Sequence, residues 1–111
     1  MPEPRLRAGI WVAAYLARLQ GLAIPAFVVR KGDETAGAVL VKVATLDGKA
    51  RAFQRSFDPL SGQRTWMVLA EGEEGPVDEA VGRQRRFDPD LWVIEVEDRA
   101  GRHLLGEEGL E

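Results

Sequence analysis

The stretch that most constrains the fold of this chain is RQRRFDPDLWVIEVED, at residues 83–98. Its arginines suit the last turn of a helix, because positive charges are favoured at the negative end of the helix dipole. The proline ends that helix, since a residue that precedes proline is displaced from the helical region. Residues 91–96 combine β-branched side chains with a tryptophan, which predicts a strand that lies deep inside a sheet.

Size and composition indicate one folded domain. The chain has 111 residues, of which 45% are hydrophobic and 30% are charged, an ordinary balance for a globular protein. It has no cysteine, which excludes disulfides, thiolate metal sites and cysteine nucleophiles. We predict a single globular domain over residues 1–111, with mobile ends at residues 1–4 and 106–111.

Charge and hydropathy restrict the partners and the location. The formal net charge of −3 argues against a protein that neutralises a long run of phosphates. The apolar run at residues 8–17 is short, and Arg18 follows it where a signal peptide would have small residues. No window reaches the roughly 20 apolar residues that a membrane span needs. We therefore expect a cytoplasmic protein with no membrane partner.

The order of predicted elements defines an α+β fold. Apolar spacing predicts a helix from Arg5 to Gln20, with Gly21 as its C-terminal cap. Strands are predicted at residues 26–31, 38–45, 50–57, 64–70 and 91–97, with a short final strand at 102–105. A second short helix is predicted from Pro76 to Arg86, before the last long strand.

Short turns between the first four strands predict a mainly antiparallel sheet of four to five strands, arranged as a meander with the helices on one face. The hairpin signal Asp47-Gly48 fixes the pairing of the second and third strands. The helix that follows the fourth strand also allows a crossover to a parallel neighbour.

The third predicted strand alternates arginine and phenylalanine, so Arg51, Phe53, Arg55 and Phe57 share one face. Interleaved arginine and aromatic side chains on a sheet can stack single-stranded nucleic acid. The end of the second helix repeats the basic character with Arg83, Arg85 and Arg86. The acidic total charge favours structural roles for these residues, or a partner protein or second copy that covers the phenylalanines.

Carboxylates are dense in the last strand. Glu95 and Glu97 lie two residues apart on one strand face, with Asp98 next to them, and such a group can hold magnesium or act as an acid and base pair. The alternative is that they form ordinary charge pairs with Lys42, Arg99 or Arg102, and we favour it.

The segment at residues 32–37, GDETAG, has the spacing that opens a phosphate-binding loop. Ala38 and Val39 stand where the lysine and the hydroxyl residue should be, so we interpret the segment as a turn. Asp33 and Thr35 stay candidate ligand contacts, because loops on a rigid scaffold often carry function. His103 is the only histidine, and we expect it to be a surface or packing residue rather than a zinc ligand.

Three segments, WVAAYLARL, RKGDETAGAVLVKV and RQRRFDPDLWVIEVEDRAGRH, resemble a family of short alphaproteobacterial proteins, domain of unknown function 1491. The resemblance covers the chain from about Arg5 to Leu105. It implies a bacterial, cytoplasmic, single-domain protein. The family has no assigned activity, cofactor, partner or catalytic residue, so the resemblance implies no site.

The residues together predict a small cytoplasmic binding or protein-interaction domain, without a cofactor and without catalytic activity, although they do not decide against an enzyme. The expected partner is an unidentified protein or a second copy in a homodimer, rather than nucleic acid. Two alternatives stay open. One is a magnesium-dependent hydrolase or transferase built on the carboxylate cluster, and the other is a weak binder of single-stranded nucleic acid.

Overall fold

The computed structural model describes residues 6–57 and 59–110, without the side chain of Phe57. Its elements, in chain order, are α1 (Ala8–Gly21), β1 (Ala26–Arg30), β2 (Val39–Ala44), β3 (Lys49–Phe57), β4 (Arg64–Glu73), α2 (Glu74–Phe87) and β5 (Trp92–Glu97). The strands form one mixed sheet in the order β1-β5-β2-β3-β4. The predicted α+β class is confirmed. Residues 102–105 form a loop instead of the predicted final strand.

The strand β5 lies in the interior of the sheet, as its composition predicts. It pairs antiparallel with β1 and parallel with β2. The strands β2, β3 and β4 form the expected antiparallel meander. The first step of the predicted meander is wrong, because β1 pairs with β5 rather than with β2. The physical reason is burial: β2 and most of β5 are covered on both faces, which suits central strands, whereas β1 is largely exposed.

The two helices pack on opposite faces of the sheet, so the expectation that both lie on one face is wrong. Residues of α1 and the C-terminal tail pack against one face of β2, and the members of this core include Trp11, Tyr15, Leu19, Val41, Ile94, Leu105 and Leu110. Residues of α2 pack against the other face, in a second core that includes Leu40, Ala52, Val77, Val81 and Val93. A sheet that is apolar on both faces needs cover on both.

The helix α1 buries Trp11, Tyr15 and Leu19, while Ile10 is 54% exposed. It also ends differently from the prediction. Gly21 is the last helical residue, and the left-handed cap conformation falls on Ala23, with φ 58°.

The cap itself is a Schellman motif. The N–H of Ile24 donates to the carbonyl of Leu19 at 3.0 Å, and the N–H of Ala23 donates to that of Gln20 at 2.9 Å. Ile24 and Leu19 are both buried and belong to the same core, as is common for the residues that flank this motif.

The C-terminal tail crosses the α1 face of the sheet. Leu105 and Leu110 are each only 1% exposed. The hydroxyl of Tyr15 donates to the carbonyl of His103 at 2.8 Å, and the indole N–H of Trp66 donates to that of Leu110 at 3.0 Å. The tail was expected to be mobile, but its two leucines give residues 106–110 an anchor in the core. Residues 1–4 and 111, also expected to be mobile, lie outside the described residues.

Neither helix among the described residues is long and apolar enough to cross a membrane.

Candidate functional site

The arginine and phenylalanine face of β3 points towards α1 and the C-terminal tail. Phe53 is 7% exposed, and its ring centroid lies 4.5 Å from that of His103. Arg51 is exposed and forms an ion pair with Glu71 at 3.1 Å. The side chain of Phe57, the fourth predicted member of this face, lies outside the described residues.

Arg55 is half-buried and lies against two neighbouring tryptophans, Trp11 and Trp66, whose ring centroids are 5.6 Å apart. Its guanidinium carbon lies 5.0 Å from the ring centroid of Trp11 and 4.7 Å from that of Trp66, which are cation–π distances. One of its nitrogens also donates to the carbonyl of Leu110 at 3.3 Å. The alternating pattern therefore contacts the helix and the tail of its own chain.

An open cleft of about 620 Å³ lies beside this face, where β3 and β4 meet the C-terminal tail. Its lining residues are Phe53, Gln63, Arg64, Thr65, Trp66, His103, Leu105 and Gly106. The volume falls within the roughly 300–1,000 Å³ of small-molecule sites. The lining residues that the structure describes include an arginine and no carboxylate.

His103 is half-buried in the wall of this cleft. Its Nδ1 accepts the backbone N–H of Leu105 at 3.0 Å. Burial, together with the nearby charge of Arg51, holds the pKa of the imidazole below its ordinary value. The ring is therefore neutral at pH 7, and because Nδ1 is an acceptor, the proton is on Nε2. No local sequence signal predicts that His103 contacts Phe53, because fifty residues separate them.

A buried charge cluster lies on the opposite face of the sheet. The Lys42 side chain is 7% exposed, and its ammonium contacts Glu95 at 2.9 Å, Glu74 at 2.7 Å and Asp78 at 2.6 Å. Burial alone would lower the pKa of Lys42, but hydrogen bonds to Asp78, Glu74 and Glu95 raise it above its ordinary value. The cluster thus holds a fixed ammonium among three carboxylates.

The predicted carboxylate group is divided between separate partners. Glu95 contacts Lys42, whereas Asp98 accepts from Arg102, whose side chain lowers the pKa of that carboxyl. Both are charge pairs that the sequence predicts as the alternative to a metal site. Within the described part of the chain, no three acidic or histidine side chains are placed to hold a metal ion. Glu74 and Asp78 were not predicted as members of this cluster, although their i, i+4 spacing at the start of α2 was an available signal.

The GDETAG segment is held against the start of β5. The carboxylate of Asp33 accepts the N–H groups of Thr35 and Ala36 at 3.1 and 2.8 Å. The indole of Trp92 donates to the carbonyl of Asp33 at 2.8 Å. A Cβ on Gly37 would lie 2.5 Å from the carbonyl oxygen of Asp90, so close packing explains this glycine. Asp33 and Thr35 do not line the cleft.

The basic end of α2 lies on another part of the surface. Arg83 and Arg86 are exposed, and Arg85 donates to the carbonyl of Lys31 at 3.4 Å. Phe87 is 85% exposed, whereas Trp92 is only 4% exposed and belongs to the core. The structure therefore separates these arginines from the cleft and from Trp92.

The strand β4 forms one edge of the sheet. It pairs with β3 on one side, and no other strand of residues 6–57 and 59–110 pairs with its outer side. Val68 pairs with Phe53 and shares the α1 face, while Met67 pairs with Gln54 on the other face. Both are about half exposed, at 48% and 55%. An unpaired strand edge with apolar side chains on both faces is a surface that another chain can join.

These features define a class: an α+β domain with a five-stranded mixed sheet between two helices, an open cleft and two edge strands, β1 and β4. The chain belongs to the DUF1491 family, described as a protein of unknown function, whose family model matches residues 6–106. No curated protein matches it significantly.

Three solved structures of relatives have the same fold. A crystal structure of a DUF1491 family protein from Caulobacter crescentus CB15 is 45% identical, covers 93% of this chain and 97% of its own, and has a TM-score of 0.84. An NMR structure of a DUF1491 family protein from the same organism is 44% identical in sequence. The match covers 95% of this chain and 96% of that one, with a TM-score of 0.82. A solution structure of a protein from A. tumefaciens is 30% identical in sequence. The match covers 85% of this chain and 86% of that one, with a TM-score of 0.71.

Proposed function

We propose that this protein is a small cytoplasmic domain that binds a protein partner at the outer edge of β4 and catalyses no reaction. The observation that carries the proposal is the ten-residue edge strand, on which Met67 and Val68 expose apolar side chains on both faces. An extended segment can join such an edge through main-chain hydrogen bonds, with alternate side chains providing specificity.

The state of the ionisable groups supports a non-catalytic role. The carboxylates of Glu74, Asp78 and Glu95 surround the ammonium of Lys42, so they neutralise its buried charge. The Nδ1 atom of His103 is engaged by the N–H of Leu105. Each of these groups has a contact within its own chain, which supports a structural role for it.

The covered face of β3 favours a protein partner over nucleic acid. Bases stack on exposed aromatic rings. Phe53 is only 7% exposed, and the rings of Trp11 and Trp66 already contact Arg55. The edge of β4, by contrast, offers backbone groups and apolar side chains.

The test compares two edges of the same sheet. The double variant Met67→Glu/Val68→Glu places charge on the β4 edge, and the control Val28→Glu/Val29→Glu places the same charge on exposed residues of β1. Each protein serves as bait in a lysate of the source organism, with and without nuclease, after its melting temperature has been checked.

We expect wild type and the β1 variant to retain the same nuclease-resistant partner and the β4 variant to lose it. A partner that survives the β4 substitutions would contradict the proposal. Light scattering on the purified proteins separates self-association from binding to another protein. A dimer that only the β4 variant loses would identify the partner as a second copy. Arg55→Glu would be a poor probe of partner binding, because Arg55 lies against Trp11 and Trp66 and its loss would also affect the fold.

A further inference from the structure

We infer that the outward face of α1 is a homodimer interface, on which a second copy of the chain packs its own α1 in the antiparallel direction. The inference goes beyond the proposed binding edge and does not rest on it, because α1 covers a face of the sheet whereas β4 lies at its edge. Three observations carry it: an exposed apolar helix face, a change of side-chain size along that face, and opposite charges at its two ends.

The helix α1 is apolar on the side that faces away from the core as well as on the side that faces it. Its buried residues are Ala8, Trp11, Val12, Tyr15 and Leu19. Half a turn from these, one continuous helix face is formed by the exposed residues Ile10, Ala13, Ala14, Ala17 and Gly21. Arg18 is the one charged residue of the helix, and it lies beside this face. A helix that is apolar all round is normally covered on all sides, and a single chain covers only one.

Side-chain size changes along the outward face. Ile10, near the start of the helix, is large and 54% exposed, and Leu6, just before the helix, is 57% exposed. Ala17 and Gly21, near its end, are small. If two copies pack antiparallel, each Ile10 lies against the small residues of the partner, whereas a parallel pair would set each Ile10 against its own equivalent. Helices pack best when large and small side chains face each other, so the face fits its own reverse.

The antiparallel direction also brings opposite charges together. Arg7 and Arg18 are exposed and about three turns apart on one flank of the face. Arg18 holds the acidic tail at the end of the helix, through the carboxylate of Glu107 at 3.3 Å and the carbonyl of Glu108 at 2.8 Å. In an antiparallel pair, Arg7 of each copy lies beside the exposed carboxylates of the other copy's tail. This charge complementarity supports a second copy as the occupant.

The small side chains favour a helix rather than a lipid surface as the occupant. A helix that lies on a membrane inserts large apolar or aromatic side chains. The aromatic residues of α1, Trp11 and Tyr15, are buried on the core side instead. Alanine and glycine allow two helices to approach closely. Because α1 has only 14 residues, the interface is small, and we expect a weak, reversible dimer.

The test measures self-association of the purified full chain by sedimentation equilibrium, over roughly 10 µM to 1 mM, the range of a weak dimer. Ala14→Glu places two like charges beside each other on the symmetry axis and should raise the dissociation constant by about tenfold or more. Ala100→Glu, the same substitution in an exposed turn, should leave it unchanged. Melting temperatures establish that each variant is folded.

The charged ends of the interface have their own test. Arg7→Glu should raise the dissociation constant about threefold, as expected for an exposed charge at the rim of an interface. Adding Glu108→Arg to that variant should restore part of the lost affinity, because the two charges are then exchanged rather than repelled.

Single cysteines test the direction of the pairing, since the chain has none of its own. Ala14→Cys, next to the symmetry axis, should form a disulfide between two copies when diamide is added. Ile10→Cys alone should react far more slowly, because antiparallel packing separates the two equivalent positions. A mixture of Ile10→Cys and Ala17→Cys should form the mixed disulfide rapidly.

Several results would overturn the inference. They are a monomer at every concentration, unchanged association in Ala14→Glu, and a disulfide in Ile10→Cys that forms as fast as the one in Ala14→Cys. A dimer that is lost in Met67→Glu/Val68→Glu but kept in Ala14→Glu would also overturn it, by placing the contact at β4. Capture of a different protein at the β4 edge is measured separately, so either proposal can fail without the other.

Discussion

The ammonium of Lys42 lies 2.9 Å from the carboxylate of Glu95, across the parallel pairing of β2 and β5. Lys42 is the one charged side chain in a strand that is otherwise apolar and fully buried. A buried charge must be paired, and β5 supplies one partner. The first turns of α2 supply Glu74 and Asp78, so the cluster ties the helix to the sheet.

Replacing Lys42 by methionine should lower the free energy of unfolding by about 2–3 kcal/mol, as urea denaturation would measure. Methionine fills the space but leaves three carboxylates without their cation. The cost stays below that of a fully buried pair, because Glu74 and Asp78 are about half exposed and water screens them. Lys31→Met, which removes an exposed pair with Glu34, is the control and should change little. Equal losses in the two variants would contradict the argument.

Arg55→Met should lower the free energy of unfolding by about 1–2 kcal/mol, since it removes the cation–π contacts with Trp11 and Trp66 and the hydrogen bond to Leu110. The same substitution should accelerate amide hydrogen exchange at residues 105–110, because Arg55 bonds the carbonyl of Leu110. Arg51→Met, on the same strand face but exposed, is the matched control. Slow exchange in the Arg55 variant would show that Leu105 and Leu110 anchor the tail without it.

The sequence predicted the helices and strands well, because each has local signals. Alternating valines marked β2, and the run from Arg83 to Val96 marked both the end of α2 and the burial of β5. The position of β5 between β1 and β2 was not predictable in the same way. It depends on which strands need cover on both faces, and that is a property of the assembled sheet.

The candidate site was harder to predict than the fold. The sequence identified the shared face of Arg51, Phe53 and Arg55, but it could not show that Trp11 and the tail cover that face. It also could not show that His103 closes a cleft with Trp66, because these residues meet only through the path of the tail. Opposite charge alone suggests a pair between Glu95 and Lys42. The structure shows why they meet: the parallel register of β2 and β5 places them side by side.

Gly37→Ala should destabilise the protein by about 1–3 kcal/mol, because overpacking a tight contact forces the backbone to move. The new Cβ would lie 2.5 Å from the carbonyl oxygen of Asp90 and 2.7 Å from that of Asp33. Gly21→Ala is the control, since nothing lies within 4 Å of its Cβ position in the last turn of α1. It should leave the melting temperature unchanged or raise it, as alanine is the better helix former. A harmless Gly37→Ala would mean that the GDETAG segment is not held as tightly as described.

The stability of the protein should fall as the pH drops from 7.5 to 5.5, and His103 should be the cause. Burial and Arg51 hold the pKa of its imidazole below the ordinary value of 6.5 in the folded state. Below about pH 6.5 the unfolded chain therefore binds a proton that the folded chain resists, and the free energy of unfolding decreases until the pH passes the folded pKa. The carboxyl of Asp98, whose pKa is lowered, loses its contribution only at more acidic pH.

His103→Asn separates this effect from the rest of the protein. An asparagine carbonyl can accept the N–H two residues later, so it can replace Nδ1 as the acceptor for Leu105 without titrating. We expect urea unfolding of the variant to show the same stability at pH 7.5 and pH 5.5, whereas wild type loses stability between them. If the variant loses as much stability as wild type between pH 7.5 and pH 5.5, another group takes up the proton. Burial then does not keep the imidazole of His103 neutral as the pH falls.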